Sequence, residues 1–94
     1  MLYRVAIRVT GRVQGVGFRY FTQEIAETIG GITGYVRNED SDRSVEIRAE
    51  GEKPELERFV SEVKEGPALS HITDLSVDWL AVGRRQYEEF TVTF

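Results

Sequence analysis

The residues best suited to chemistry lie in two short runs. The first is Gly11-Arg12-Val13-Gln14-Gly15-Val16-Gly17-Phe18-Arg19. Gly15 and Gly17 permit backbone conformations closed to other residues and let a ligand come close. The run leads directly into a segment of helical periodicity, so the unpaired N–H groups of a helix start adjoin the loop. Loop and helix start together form a nest suited to an anion. Arg19, in the first helical turn, adds a planar guanidinium able to grip two phosphate oxygens at once. The second run is Gly34-Tyr35-Val36-Arg37-Asn38, and Asn38 is the only asparagine of the chain. Its amide offers a donor and an acceptor, the pair of properties needed to hold a water and steer a phosphoryl oxygen. On the residues alone, a glycine-rich turn capped by a surface arginine and a turn-forming asparagine account for the same runs. Two other phosphate motifs are excluded. Position 20 is Tyr where a dinucleotide fingerprint carries its third glycine, and no Gly-Lys-Ser/Thr follows as in a P-loop.

The elements that must position these residues follow from periodicity. Tyr3, Val5, Ile7 and Val9 alternate with Arg4, Ala6, Arg8 and Thr10, which predicts a half-buried strand ended by Gly11. Phe18, Phe21, Ile25 and Ile29 recur at helical spacing, and Gly30-Gly31 stops the helix. Residues 32–38 read as a second strand, Glu39 to Arg43 as a charged turn, and Ser44 to Glu50 as a third strand with Val45, Ile47 and Ala49 inward. Pro54 suits the first turn of a second helix that buries Leu56, Phe59, Val60 and Val63 and ends at Gly66-Pro67. Leu75, Val77 and Trp79 form a fourth strand, with Trp79 expected in the core. Phe90, Val92 and Phe94 form a short last one. The order β-α-β-β-α-β plus a short final strand predicts an α+β fold of the ferredoxin-like, split βαβ kind. It is an antiparallel sheet with both helices on one face. Residues 1–94 read as a single domain.

Composition narrows the function classes. There is no cysteine, which excludes a disulfide framework, a thiolate metal site and a cysteine nucleophile. A net charge of −4 disfavours general nucleic-acid binding. Residues 1–23 nevertheless hold four arginines and no acid, while the remainder holds eight basic and sixteen acidic residues. A basic segment on an acidic protein points to a local anion site. Within it, Arg4 and Arg8 read as solvated strand residues. No apolar run approaches a membrane span, and the expected location is cytoplasmic.

Taken together, the run from Gly11 to Arg19 and the run from Gly34 to Asn38 resemble the signature pair of the acylphosphatase family, and the resemblance extends over essentially the whole chain. It implies an enzyme that hydrolyses acyl phosphates to carboxylate and inorganic phosphate. By this resemblance Arg19 is the substrate-binding arginine and Asn38 the water-positioning asparagine. Gln14, Gly15, Val16, Gly17 and Phe18, with Arg19, provide the phosphate-binding loop, and Thr22 supports it from the first helix. No metal or organic cofactor is implied, and the expected partner is a small acyl phosphate bound by a monomer. Two departures stand out. The turn from Glu39 to Ser44 lacks the family's glycine and is one residue longer, and Tyr35 stands where tryptophan is common.

Other residues carry less. His71 reads as a surface loop residue, and Glu39, Asp40 and Asp42 as a solvated turn without the ordered ligand spacing of a calcium loop. Arg84 and Arg85 read as an exposed turn. The rival function is a non-catalytic anion or small-molecule binding module on the same fold. An RNA-binding version would want aromatic residues on the third strand, which has none. A second rival is the same fold inside a larger carbamoyl-transfer protein, which the chain's stand-alone length disfavours.

Overall fold

A computed structural model describes residues 1–41 and 43–94. Seven elements follow one another: β1 (Leu2–Arg12), α1 (Phe18–Ile29), β2 (Thr33–Asn38), β3 (Ser44–Glu52), α2 (Lys53–Glu65), β4 (His71–Ala81) and β5 (Phe90–Thr93). The strands form one sheet in the order β4-β1-β3-β2-β5. All neighbours are antiparallel except β2 and β5, which run parallel. The expected split βαβ arrangement is therefore present, with a mixed rather than wholly antiparallel sheet.

Alternation along each strand makes one face of the sheet apolar. Val5, Ile7 and Val9 of β1 and Val45, Ile47 and Ala49 of β3 share that face with Val36 of β2. Phe18, Ile25 and Ala26 of α1 and Leu56, Phe59, Val60 and Val63 of α2 close over it. Removing each such large side chain from water contributes roughly 1.5–3 kcal/mol. No described helix is long and apolar enough to cross a membrane.

The second face is polar and laced with ion pairs. Glu46 accepts from Arg37 Nε at 2.6 Å and from the Tyr35 hydroxyl at 3.1 Å, and it pairs with Arg48 at 3.2 Å. Arg8 grips Glu39 through two bonds of 2.9 Å and thereby holds that carboxyl below its usual range. Glu50 also sits on this face, opposite Arg4 in the β1–β3 register, yet it is fully buried. It accepts from Arg4 at 2.6 and 2.9 Å and from the backbone N–H groups of Gln86 and Tyr87 at 2.8 and 3.1 Å. Arg85 adds bonds to the carbonyls of Gly31 and Glu50 and to the Thr33 hydroxyl. The segment between β4 and β5 is thus fastened down over the sheet.

Several sequence expectations change here. Arg4 is not a solvated strand residue but the partner of a buried carboxylate. Arg85 is exposed but tied to three oxygens rather than loose in a turn. β1 does not end at Gly11. It continues to Arg12 through a register shift, because Gly11, at φ 135°, lets the backbone pass against the carbonyl of His71. His71 opens β4 instead of lying in a loop. Trp79 is 40% exposed, edge-on to Tyr3, because β4 is an edge strand that outruns the helices. Phe94 lies beyond β5 and is exposed. The part of Asp42 in the turn after β2 lies outside the described residues.

Two predictions follow from this packing. At Gly34 (φ 148°) any Cβ would strike the carbonyl of Arg48 on the neighbouring strand. Gly34→Ala should cost at least about 3 kcal/mol in urea unfolding; a loss below about 1 kcal/mol would show that the strands can part there. Glu50 behaves differently with pH. Burial pushes its carboxyl up, but Arg4 and the two backbone N–H groups outweigh burial and hold it below its ordinary value. Its contribution is therefore complete above the ordinary carboxyl value of 4.5 and is lost as pH falls through the depressed folded value. Glu50→Gln should cost about 3 kcal/mol at neutral pH. The gap in Tm from wild type should close on acidification below the ordinary carboxyl value; a constant gap would refute the charge-based account.

Candidate active site

Topology alone brings the functional segments together. β1, β2 and β5 all run antiparallel to β3 or parallel to one that does, so their C-terminal ends share one end of the sheet. The loop after β1, Asn38 at the end of β2, and Thr93 and Phe94 at the end of β5 all gather there.

The loop is shaped by its glycines. Gly15 has φ 74°, and Gly17 has φ 80° and ψ 17°, left-handed conformations that side chains disfavour. A Cβ at either position would meet nothing within 4 Å, so both face open space. Gly17 is the N-cap of α1 and supplies no capping side chain, and no acidic residue lies in the first turn. The first helical bond runs from the Phe21 N–H to the Gly17 carbonyl at 3.0 Å. Among the described residues, the N–H groups from Gly15 to Tyr20 make no close, well-aligned hydrogen bond. These are the free donors of a helix start, unneutralised by any carboxylate.

Neighbouring side chains fix the orientation of this loop. Phe18 is 1% exposed and anchors the helix start in the core. Val16 packs against the same core. Thr22 is buried, and its hydroxyl donates to the Phe18 carbonyl at 2.8 Å, bracing the first turn. Gln14 turns its amide away from the loop. Its Nε2 donates to the carbonyls of Ser41 at 2.7 Å, Ser44 at 2.9 Å and Glu39 at 3.3 Å. This donor group, expected at the substrate, is engaged by the turn after β2.

Arg19 projects from the first turn of α1 toward the end of β5. Its Nη1 donates to the Thr93 carbonyl at 3.3 Å, and its guanidinium carbon lies 4.5 Å from the centre of the Phe94 ring. Thr93 is in turn the β5 partner of Arg37, the residue before Asn38. One end of the guanidinium is held by a carbonyl and its face by an aromatic ring. Sequence reading did not find this support; the only signal was an aromatic residue one place past the last strand.

Asn38 follows Gly34 and Val36 on the helix-facing side of β2 and pairs with Val45 of β3. Its Oδ1 is buried and, among the described residues, receives no hydrogen bond. A buried acceptor without a donor is costly and calls for an explanation. Facing a loop of unpaired donors, it is suited to take one hydrogen bond from a small polar molecule. A cavity of about 370 Å³ lined by Gly11, Arg12, Val13, Gln14 and Arg43 adjoins the loop. Another of about 200 Å³, lined by Arg8, Arg48, Ser76 and Asp78 among others, lies on the polar face and opens onto none of these groups.

Comparison with known proteins bears on the family and the fold. The acylphosphatase family model matches residues 5–92. An acylphosphatase from Thermotoga maritima is 48% identical over 88 residues, which is 94% of this chain and 93% of that one. The crystal structure of acylphosphatase from Bacillus subtilis superposes with a TM-score of 0.88 at 42% identity, covering 100% of both chains. The structure of full-length HypF, in a phosphate- and nucleotide-bound form, matches all of this chain with 12% of its own, at 35% identity and a TM-score of 0.87. A loop of free backbone donors, an arginine braced beside it and a lone buried asparagine oxygen are thus set in a chain that belongs to the acylphosphatase family.

Proposed function

We propose that the protein hydrolyses acyl phosphates, and that the cradle from Gly15 to Arg19, the Arg19 guanidinium and the Asn38 amide are its catalytic apparatus. The observation that carries this reading is the convergence at one sheet end of unpaired donors, a fixed guanidinium and an orphaned acceptor.

The chemistry asks little of the protein beyond placement. Water attacks phosphorus and the bond to the acyl oxygen breaks. That oxygen leaves with the electron pair as a carboxylate. A carboxylate departs readily, so no general acid is needed. The transition state is loose, with charge spread over the peripheral phosphoryl oxygens. Donors preorganised around those oxygens stabilise it without having to move. The cradle N–H groups and Arg19 supply them. Asn38 Oδ1 accepts from the attacking water and holds it in line, as positioning catalysis requires. The water's second proton passes to a phosphoryl oxygen of the substrate. Thr22 contributes indirectly, by bracing the helix start. Inorganic phosphate is then the second product, and the cradle contacts only the phosphate end of the substrate.

We further place the protein in the cytoplasm as a monomer formed by one domain of residues 1–94. A chain without cysteine suits a reducing compartment.

Phosphate release from benzoyl phosphate tests the assignment. Arg19→Ala should lower kcat/KM about a thousandfold. Asn38→Ala should lower kcat about a hundredfold while changing KM less than about threefold, because it acts on the water rather than on the phosphate. Circular dichroism should show both variants folded. A folded wild-type protein without turnover would overturn the enzymatic reading and leave an anion-binding module.

A further inference from the structure

We infer that Gln14 is a positioning residue that couples the phosphate-binding loop to Asn38; this rests on the catalytic reading above. Gln14 immediately precedes Gly15, so its backbone adjoins the cradle. Its side chain reaches the carbonyls of Glu39, Ser41 and Ser44, which frame the turn that begins directly after Asn38. The Ser44 carbonyl also accepts from the Glu39 N–H at 3.0 Å, the bond that closes this turn. One oxygen thus serves both the closure of the turn and its tether to the loop.

The residue type fits the task. Three converging carbonyls present negative charge and require a donor. A neutral amide supplies two hydrogens and brings no charge into the anion site. A carboxylate at the same place would repel all three oxygens. Within the turn, Ser41 Oγ accepts from the Arg43 N–H at 3.3 Å, and Arg8 grips Glu39. Gln14 adds the tether that joins this turn to the phosphate-binding loop. Asn38 is the last residue of β2, paired with Val45 of β3, and leads straight into this turn, so the tether bears on where the water-orienting oxygen lies relative to the bound phosphoryl group. In-line attack is sensitive to displacements of an ångström or less.

The proposal separates positioning from binding. Gln14→Ala, and Gln14→Met as a variant that keeps side-chain bulk, should lower kcat for benzoyl phosphate about tenfold. The inhibition constant of inorganic phosphate should stay within about twofold of wild type. In an Asn38→Ala background either substitution should cost less than about threefold more, since the group being positioned is gone. A readout independent of turnover comes from the single asparagine. Its side-chain amide gives one pair of NMR resonances, which should shift in both Gln14 variants, and hydrogen exchange at the Glu39 N–H should quicken. Phosphate affinity falling in step with kcat/KM would make Gln14 a substrate ligand instead. Unchanged resonances and unchanged Glu39 exchange would overturn the coupling, whether or not the wild-type protein turns over acyl phosphates. Absent wild-type turnover would overturn the catalytic reading alone.

Discussion

A single buried carboxylate fastens the part of the chain on which the site leans. Glu50 lies on the polar face of the sheet, where its neighbours meet solvent, yet it is covered by the segment between β4 and β5. A buried charge left alone would be prohibitively costly. Arg4 and two backbone N–H groups satisfy it, so lifting the covering segment would strip the carboxylate of both backbone donors. That segment delivers β5 to the side of β2. β5 in turn carries Thr93 and Phe94, which hold the Arg19 guanidinium. An ion pair at one end of the sheet thus secures Arg19 at the other.

The remaining parts of the site divide their labour along the same lines. On the proposed reading, backbone groups supply most of the anion binding, because glycine conformations and a helix start present donors that need no side-chain ordering. Side chains do the bracing. Phe18 and Val16 seat the loop on the core, Thr22 stiffens the first helical turn, and Gln14 ties loop to hairpin. On the proposed reading, only Arg19 and Asn38 address the substrate with side-chain atoms. The arrangement suits a reaction whose leaving group departs unaided and whose transition state wants fixed dipoles more than proton transfer.

Much of this was legible in the residues, and the limits of that reading have physical causes. Alternation and helical spacing located every element, because each has one apolar face. The two motif runs singled out Arg19, Asn38 and the loop as candidates, because glycine pairs and a lone asparagine are informative locally. Long-range consequences were not legible. Glu50 and Arg4 fall at outward positions of alternating strands, and only a segment more than thirty residues away buries the one and occupies the other. Trp79 continues an apolar alternation, but nothing local reveals that β4 is an edge extending past the helices. The Gln14 side chain reads as part of a phosphate loop until the hairpin it grips is in place.

The strand order has a consequence for how the molecule comes to be folded. Only β2 and β3 are neighbours both in the chain and in the sheet; every other pairing joins distant residues, as in Leu2 with Glu52, Tyr3 with Ala81 and Gly34 with Phe90. Each such closure costs chain entropy before its contacts repay it, which places the fold among the slower-folding small domains, on a scale of milliseconds to seconds. The site is whole only when β5 has docked, since Arg19 rests on residues at its far end. Partly folded forms that already possess the hairpin and both helices therefore lack a braced guanidinium. Catalytic competence in this chain is a property of the completed native state.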